Sequence, residues 1–184
     1  MPGTLLLIDL QNDYFPGGAC ELEGAEAALG HAGRLLAAAR EAGWPVVHVQ
    51  HLSLRPGAGF FLPGTPGAEI HPALAPRPGE AVVVKHQPNS FRDTGLEALL
   101  RPRADAPLLV AGMMTHMCVD SSVRAAWELG FAVRLAGQAC ATRALGDPVG
   151  GVPAAQVQAA FLAALHGLFA RVEETSTLLD LLRA

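Results

Sequence analysis

Charge is what this chain has least of: Asp, Glu, Lys and Arg make up only 16% of its 184 residues, and the formal net charge is −4. No basic run is present, so nucleic acid is excluded as a partner on electrostatic grounds. No apolar stretch reaches the roughly 20 residues that a membrane-crossing helix needs, so no membrane partner is expected. Cysteine is scarce as well. Cys20, Cys118 and Cys140 are odd in number, lie far apart and form neither a CxxC pair nor a zinc-ligand spacing, which predicts a reducing, cytoplasmic setting. The first apolar run begins almost at once, with no charged segment ahead of it, so no signal peptide is expected. After that run stand Leu10-Gln11-Asn12-Asp13 rather than G-x-G-x-x-G, which sets aside a dinucleotide-binding oxidoreductase. No internal repeat and no low-complexity tract breaks the chain.

What is present is apolar sequence, 51% of the residues, enough for one domain over residues 1–184 with a sizeable core. Short apolar runs at 4–9, 45–51, 81–85, 107–112, 131–136 and 169–172 read as strands. Helical patterns fall between or after them, at 25–42, 94–101, 118–130, 153–167 and 176–183. Alternation of this kind predicts a three-layer α/β/α fold, an about six-stranded parallel sheet with helices on both faces. The near-continuous apolar strands predict a wholly covered sheet. The low charge and the Ala/Leu-rich helices suggest a homo-oligomer, a dimer or tetramer. Residues 52–79 are rich in Gly and Pro and carry Phe60-Phe61. A loop that long inside a compact domain is usually functional.

In an open parallel sheet, chemistry gathers beyond the carboxyl ends of the strands. Asp9 ends the first strand, His51 the second and Lys85 the third. Cys118 follows the fourth, where an apolar strand turns directly into a helix. A thiol at a helix amino end faces free N–H donors and a partial positive charge, which predicts a lowered thiol pKa. Asp9 is able to accept the thiol proton, and the charge of Lys85 favours both anions. Plainer readings stand beside this one: Asp9 and Lys85 as a buried ion pair, and Cys118 as a small buried hydrophobe.

Three stretches resemble one family. Ile8-Asp9-Leu10-Gln11-Asn12-Asp13-Tyr14-Phe15 is similar to the opening D-x-Q-N-D-F motif of the isochorismatase-like cysteine hydrolases, which include nicotinamidases, N-carbamoylsarcosine amidohydrolases and ureidoacrylate amidohydrolases. Lys85 with Ser90-Phe91 resembles the lysine motif, and Ala111 to Val119 the nucleophile motif. The resemblance runs from about residue 4 to 172, with the motifs in the family's order. It implies an isochorismatase-like, Rossmann-like hydrolase domain with a triad of Asp9, Lys85 and Cys118. It also implies a non-proline cis peptide at Met113–Met114, and an oxyanion hole from the backbone N–H groups of Met114 and Cys118. The reaction implied is cleavage of a C–N bond in a small carboxamide or carbamoyl compound through a Cys118 thioester. The alternatives are a non-catalytic binding or scaffold member and an isochorismatase or nicotinamidase proper.

The chain departs from parts of the family. Metal-binding nicotinamidases carry Asp-x-His after the second strand, where this chain has His51-Leu52-Ser53. His48, His51 and His71 lie near enough in sequence to raise the question of a metal, but the expectation is no metal and no cofactor. Isochorismatases proper tend to lack the cysteine, so Cys118 argues against that substrate. Tyr14, Phe60, Phe61, Phe91 and His116 are candidate pocket residues, each with ordinary packing as the competing reading. Gln11 is expected to orient the loop rather than touch substrate.

Overall fold

The computed structural model describes residues 2–147 and 149–183. In chain order the elements are β1 (Thr4–Ile8), α1 (Ala25–Glu41), β2 (Val46–His51), β3 (Ala81–Lys85), α2 (Leu96–Leu100), β4 (Leu108–Met113), α3 (Asp120–Glu128), β5 (Val133–Ala141), β6 (Leu145–Asp147), β7 (Gly150–Val152), α4 (Ala154–Leu165), β8 (Arg171–Glu173) and α5 (Thr175–Arg183). Six strands form one sheet in the order β3-β2-β1-β4-β5-β8, and every neighbouring pair is parallel. From β1 the chain builds outward to β2 and β3 on one side, then returns to lay β4, β5 and β8 on the other. The direction of winding therefore reverses between β1 and β4, and a crevice opens at the carboxyl ends of those two strands.

Alternation along the central strands explains the two cores. Leu5 and Leu7 point to one face, where Leu35 and Leu36 of α1 and Leu178 and Leu182 of α5 cover them. Leu6 and Ile8 point to the other, against Leu96 and Leu100 of α2, Val123 and Ala126 of α3 and Leu165 of α4. Side chains of this size, each at or near full burial, stabilise the fold by roughly 1.5–3 kcal/mol apiece. Gly112 sits where only glycine fits. Its φ is +150°, and a Cβ there would meet the Ile8 carbonyl oxygen at 2.2 Å. The close β1–β4 pairing beside the crevice depends on that missing side chain.

Several details differ from the sequence reading. The helix expected from 118 begins earlier, as a wide π-type turn over Thr115–Val119 that continues into α3. Strand β5 runs on to Ala141, because Gly112 pairs with Cys140 after Val110 has paired with Leu135; extra residues bulge out of β5 between those points. Cys140 therefore lies inside the strand rather than after it. A small antiparallel hairpin, β6–β7, follows. The sheet is not wholly covered: β3 is an edge strand, and Val82 and Val84 on its outer side are 44% and 42% exposed. The 52–79 loop is ordered by two short 3₁₀ turns, Pro66–Ala68 and Pro72–Leu74. No helix among the described residues is long and apolar enough to cross a membrane.

Glu80, just ahead of β3, ties three elements together. Its carboxylate accepts from Arg40 Nε of α1 at 2.6 Å and from the Arg77 amide at 2.9 Å, and it pairs with His48 Nε2 of β2 at 2.9 Å. The Arg40 hydrogen bond, more than any other contact, holds the carboxyl down to about 2, against 4.5 in a free chain. A depressed carboxylate stabilises the fold fully above its unfolded value and loses that contribution as pH falls through the folded one. Between pH 4.5 and 2, therefore, the unaltered protein should lose stability that Glu80→Gln never had. Urea melts at pH 7 are expected to differ by about 1–3 kcal/mol and to converge near pH 2. A constant gap across that range would refute the assignment.

Candidate active site

Asp9 is the first residue past β1 and has a φ of +51°, a left-handed conformation that Asp adopts more readily than most residues. Its amide donates to Val49 O at 3.0 Å, which fixes the turn. The side chain is fully buried. Lys85 ends β3 and reaches across the end of β2, placing Nζ 2.8 Å from Asp9 Oδ2 and 3.3 Å from His51 Nδ1. The ammonium also donates to the carbonyls of Gln87 and Pro88, both at 3.1 Å. Burial works against its charge, but the negative partners Asp9 and Cys118 outweigh it and hold Lys85 above its ordinary pKa. Lys85 meets Asp9 as a buried ion pair.

Cys118 lies in the π-type turn after β4, 3% exposed. Its Sγ, a carboxylate oxygen of Asp9 and a ring nitrogen of His51 all lie within 4.8 Å of one another. The acid, the amine and the thiol thus meet at the point where the sheet's winding reverses. The expected lowering of the thiol pKa is not found. Burial pushes the thiol well up, the neighbouring Asp9 carboxylate pushes it further, and Lys85 only partly opposes them. The sequence located the helix terminus but gave neither the depth of burial nor the distance to Asp9, and burial first, then that carboxylate, decides the sign. The peptide bond between Met113 and Met114 is cis.

Beside this cluster lies a cavity of about 460 Å³, lined by His51, Ser53, Leu54, Arg55, Phe60, His86, Gln87, Pro88 and Met117. Two larger clefts, of about 660 and 700 Å³, lie away from the cluster, one lined by α1, β5 and α4 and the other around Trp44 and Leu181. Size favours those two, but only the smaller cavity is lined by His51 of the cluster and by Met117, the residue before Cys118 in the chain. Among the expected pocket residues, Phe60 lines it. Tyr14 is buried next to the cluster. Burial first, then the charges of Cys118 and Asp9, raise its hydroxyl well above its usual value, and its ring packs edge-on to Phe61 at 4.6 Å. Phe61 is fully buried and its amide donates to Asp13 Oδ2 at 2.6 Å, so it is a core residue rather than a wall. Phe91 stacks on Phe131 at 6.1 Å in the opposite core and does not line the cavity. His116 turns to Thr142 and lies edge-on to Phe161, also outside the lining.

Gln11 is a clamp. Its amide donates to His51 O at 2.8 Å and Ala68 O at 2.7 Å, and its oxygen accepts from His51 N at 2.7 Å. It thereby fastens the long loop to the end of β2. The sequence reading missed Ser53, Arg55, His86, Gln87 and Met117. These are loop or turn residues without periodicity, and only the side of the crevice they face marks them.

The three histidines raised earlier do not share a site. His48 and His51 are three apart in one strand and so face opposite ways; His48 is spent on Glu80. His71 accepts from the Ala73 amide at 3.2 Å. Among the described residues, Asp9, His51 and Cys118 alone come close enough to bind one ion. The Lys85 ammonium sits against two of those three groups, and its positive charge opposes a cation there.

With this geometry in hand, comparison with known proteins places the chain among relatives. Residues 4–176 match the model of the isochorismatase domain. An uncharacterized isochorismatase family protein of Bacillus subtilis, YddQ, is 45% identical over 179 residues, which is 97% of this chain and 99% of that protein. A maleamate amidohydrolase of Pseudomonas putida is 32% identical, with 70% of this chain and 67% of that enzyme aligned. A crystal structure from Oleispira antarctica, assigned there as an isochorismatase hydrolase, superposes with a TM-score of 0.93 at 48% identity, covering 97% of this chain and 96% of that one.

Proposed function

We infer that this chain, which belongs to the isochorismatase family, is a cysteine-dependent amidohydrolase that cleaves the C–N bond of a small carboxamide or carbamoyl compound. The observation that carries this reading is the Asp9 carboxylate. It is wholly buried, paired to the Lys85 ammonium at 2.8 Å, and within 4.8 Å of the Cys118 sulfur. A buried carboxylate next to a thiol is arranged to take that thiol's proton.

The mechanism follows from the protonation states. Burial and Asp9 keep the resting thiol protonated, so attack and proton transfer go together. As Cys118 Sγ bonds to the substrate carbonyl carbon, its proton passes to Asp9. The carbonyl oxygen becomes an oxyanion, which the backbone N–H groups of Met114 and Cys118 are proposed to stabilise. The C–N bond breaks as the nitrogen takes the proton from Asp9, and ammonia or an amine leaves. Water then gives a proton to Asp9 and attacks the thioester. When the C–S bond breaks, the sulfur takes that proton back. Lys85, 2.8 Å from Asp9 Oδ2, holds that carboxylate in place beside the sulfur. No cofactor enters these steps. The reading covers residues 1–184 as one domain, in a reducing, cytoplasmic setting that suits three free cysteines. A homo-oligomer fits the half-exposed Val82 and Val84 on edge strand β3.

A screen of small amides, ureas and carbamoyl acids for ammonia release tests the reaction class. An acid-quenched mixture of the best substrate should carry an acyl mass on the peptide containing Cys118. Ammonia release with the acyl group on another residue, or no release from any compound, would overturn the proposal.

A further inference from the structure

We propose that Ser90 and Ser122 form a latch that fixes the Lys85 ammonium relative to the Cys118 sulfur, which makes Ser122 a positioning residue of this site. For its effect on turnover the proposal rests on the amidohydrolase reading; for its effect on the thiol it does not. Ser90 and Ser122 are 0% and 1% exposed. A hydroxyl buried to that degree is costly unless it is hydrogen-bonded, and what these two bond to is the turn that holds the cation.

An ammonium has three protons, and three oxygens surround that of Lys85: Asp9 Oδ2 at 2.8 Å and the carbonyls of Gln87 and Pro88, both at 3.1 Å. Two of the three belong to the turn after β3, so the cation goes where that turn goes. Pro88 has no N–H with which to anchor it. The anchor comes two residues later. The Ser90 amide donates to Ser122 Oγ at 3.0 Å, and the two hydroxyls meet at 2.8 Å. Pro88 O lies 3.5 Å from the same Ser122 oxygen. Thr94 Oγ1 closes the turn by donating to Ser90 O at 2.7 Å. Ser122 stands in α3, four residues after Cys118, a spacing that puts both on one side of the helical run. The latch therefore joins the carbonyls that hold the cation to the backbone that carries the sulfur. The titratable groups around that sulfur are Asp9, His51, Lys85 and Tyr14, and Lys85 is the one whose charge opposes Asp9 and lowers the thiol pKa. A displaced ammonium is thus readable in the titration of Cys118 itself.

Alkylation by iodoacetamide against pH, read on the peptide containing Cys118, tests the latch in Ser122→Ala. The lost hydroxyl leaves the Ser90 amide without its acceptor, and the turn and its cation move off. The profile should shift to higher pH by about one unit, which is a tenfold slower reaction on its rising limb. For the best amide, kcat should fall by about 10²-fold with KM little changed, as expected of a misplaced group. In Lys85→Met the same substitution should add no further shift, because it acts through that ammonium. Ser90→Ala keeps the amide bond to Ser122 and should give a smaller shift in the same direction. Thr175→Ala is the control: it removes an equally buried hydroxyl at the start of α5, bonded to His31 Nδ1 at 2.8 Å, and should lower stability without moving the profile. An unmoved profile in Ser122→Ala, or in Ser90→Ala should the first variant not fold, would overturn the proposal. So would a further shift in the Lys85→Met background, or an equal shift in Thr175→Ala. If the profile moves as expected but the unaltered protein hydrolyses no amide, the latch stands and the amidohydrolase reading fails. Amide hydrolysis with an unmoved profile keeps that reading and removes the latch.

Discussion

Replacing Cys118 by Ala is expected to reduce amide turnover by on the order of 10⁴-fold or more and to leave the fold in place. The sulfur is the strongest nucleophile in the cluster and lies beside a carboxylate placed to act as its base. Without it, the carboxylate and the ammonium have no nucleophile to serve. The structural penalty is small, because Cys118 is one buried side chain in a π-type turn that Met114 O already holds through the amides of Met117 and Val119, at 3.0 and 3.1 Å. Loss of a single sulfur in a packed site is worth about 1 kcal/mol. Thermal melts within a few degrees of the unaltered protein, with turnover gone, are the expected pair of results. Turnover within tenfold of the unaltered protein would remove Cys118 from the mechanism.

Much of this site was legible in the sequence, for a physical reason. A strand buried on both faces is a continuous apolar run, so the first polar residue after it marks the strand tip. Asp9 and Lys85 were found that way, and so was the end of β2 at His51. The parallel sheet followed from alternation, and its switch point from the winding. Other features left no such mark. The bulge in β5 hides in Gly137-Gln138-Ala139, where no period breaks cleanly. Phe60 and Phe61 are adjacent and alike in sequence, but the left-handed φ of +56° at Phe61 and its bond to Asp13 turn one ring into the core and leave the other at the cavity. Arg55 and His86 are exposed loop residues whose relevance lies entirely in what they face. The thiol pKa is raised rather than lowered because burial of the sulfur, and then the neighbouring Asp9 carboxylate, outweigh a helix terminus.

That last point gives the sharpest test of how the cluster works, because two substitutions should move the thiol in opposite directions while both impair catalysis. Asp9→Asn keeps shape and tolerates the left-handed φ. It removes the nearest charge that raises the thiol pKa. Alkylation of Cys118 by iodoacetamide should therefore shift to lower pH. Turnover should nonetheless fall by about 10²–10⁴-fold, the usual contribution of a positioned base, because an amide cannot take the sulfur's proton or return it to the leaving nitrogen. Lys85→Met removes the charge that lowers the thiol pKa, so alkylation should shift to higher pH. It also leaves Asp9 buried without its counter-ion. A fully buried carboxylate stripped of its partner is destabilising by about 3–5 kcal/mol. Turnover should fall in this variant as well, so both substitutions impair catalysis while the alkylation profile moves in opposite directions. If Asp9→Asn instead moved alkylation to higher pH, the carboxylate would not be the group that governs the thiol, and the proton path from Cys118 to Asp9 would have to be abandoned.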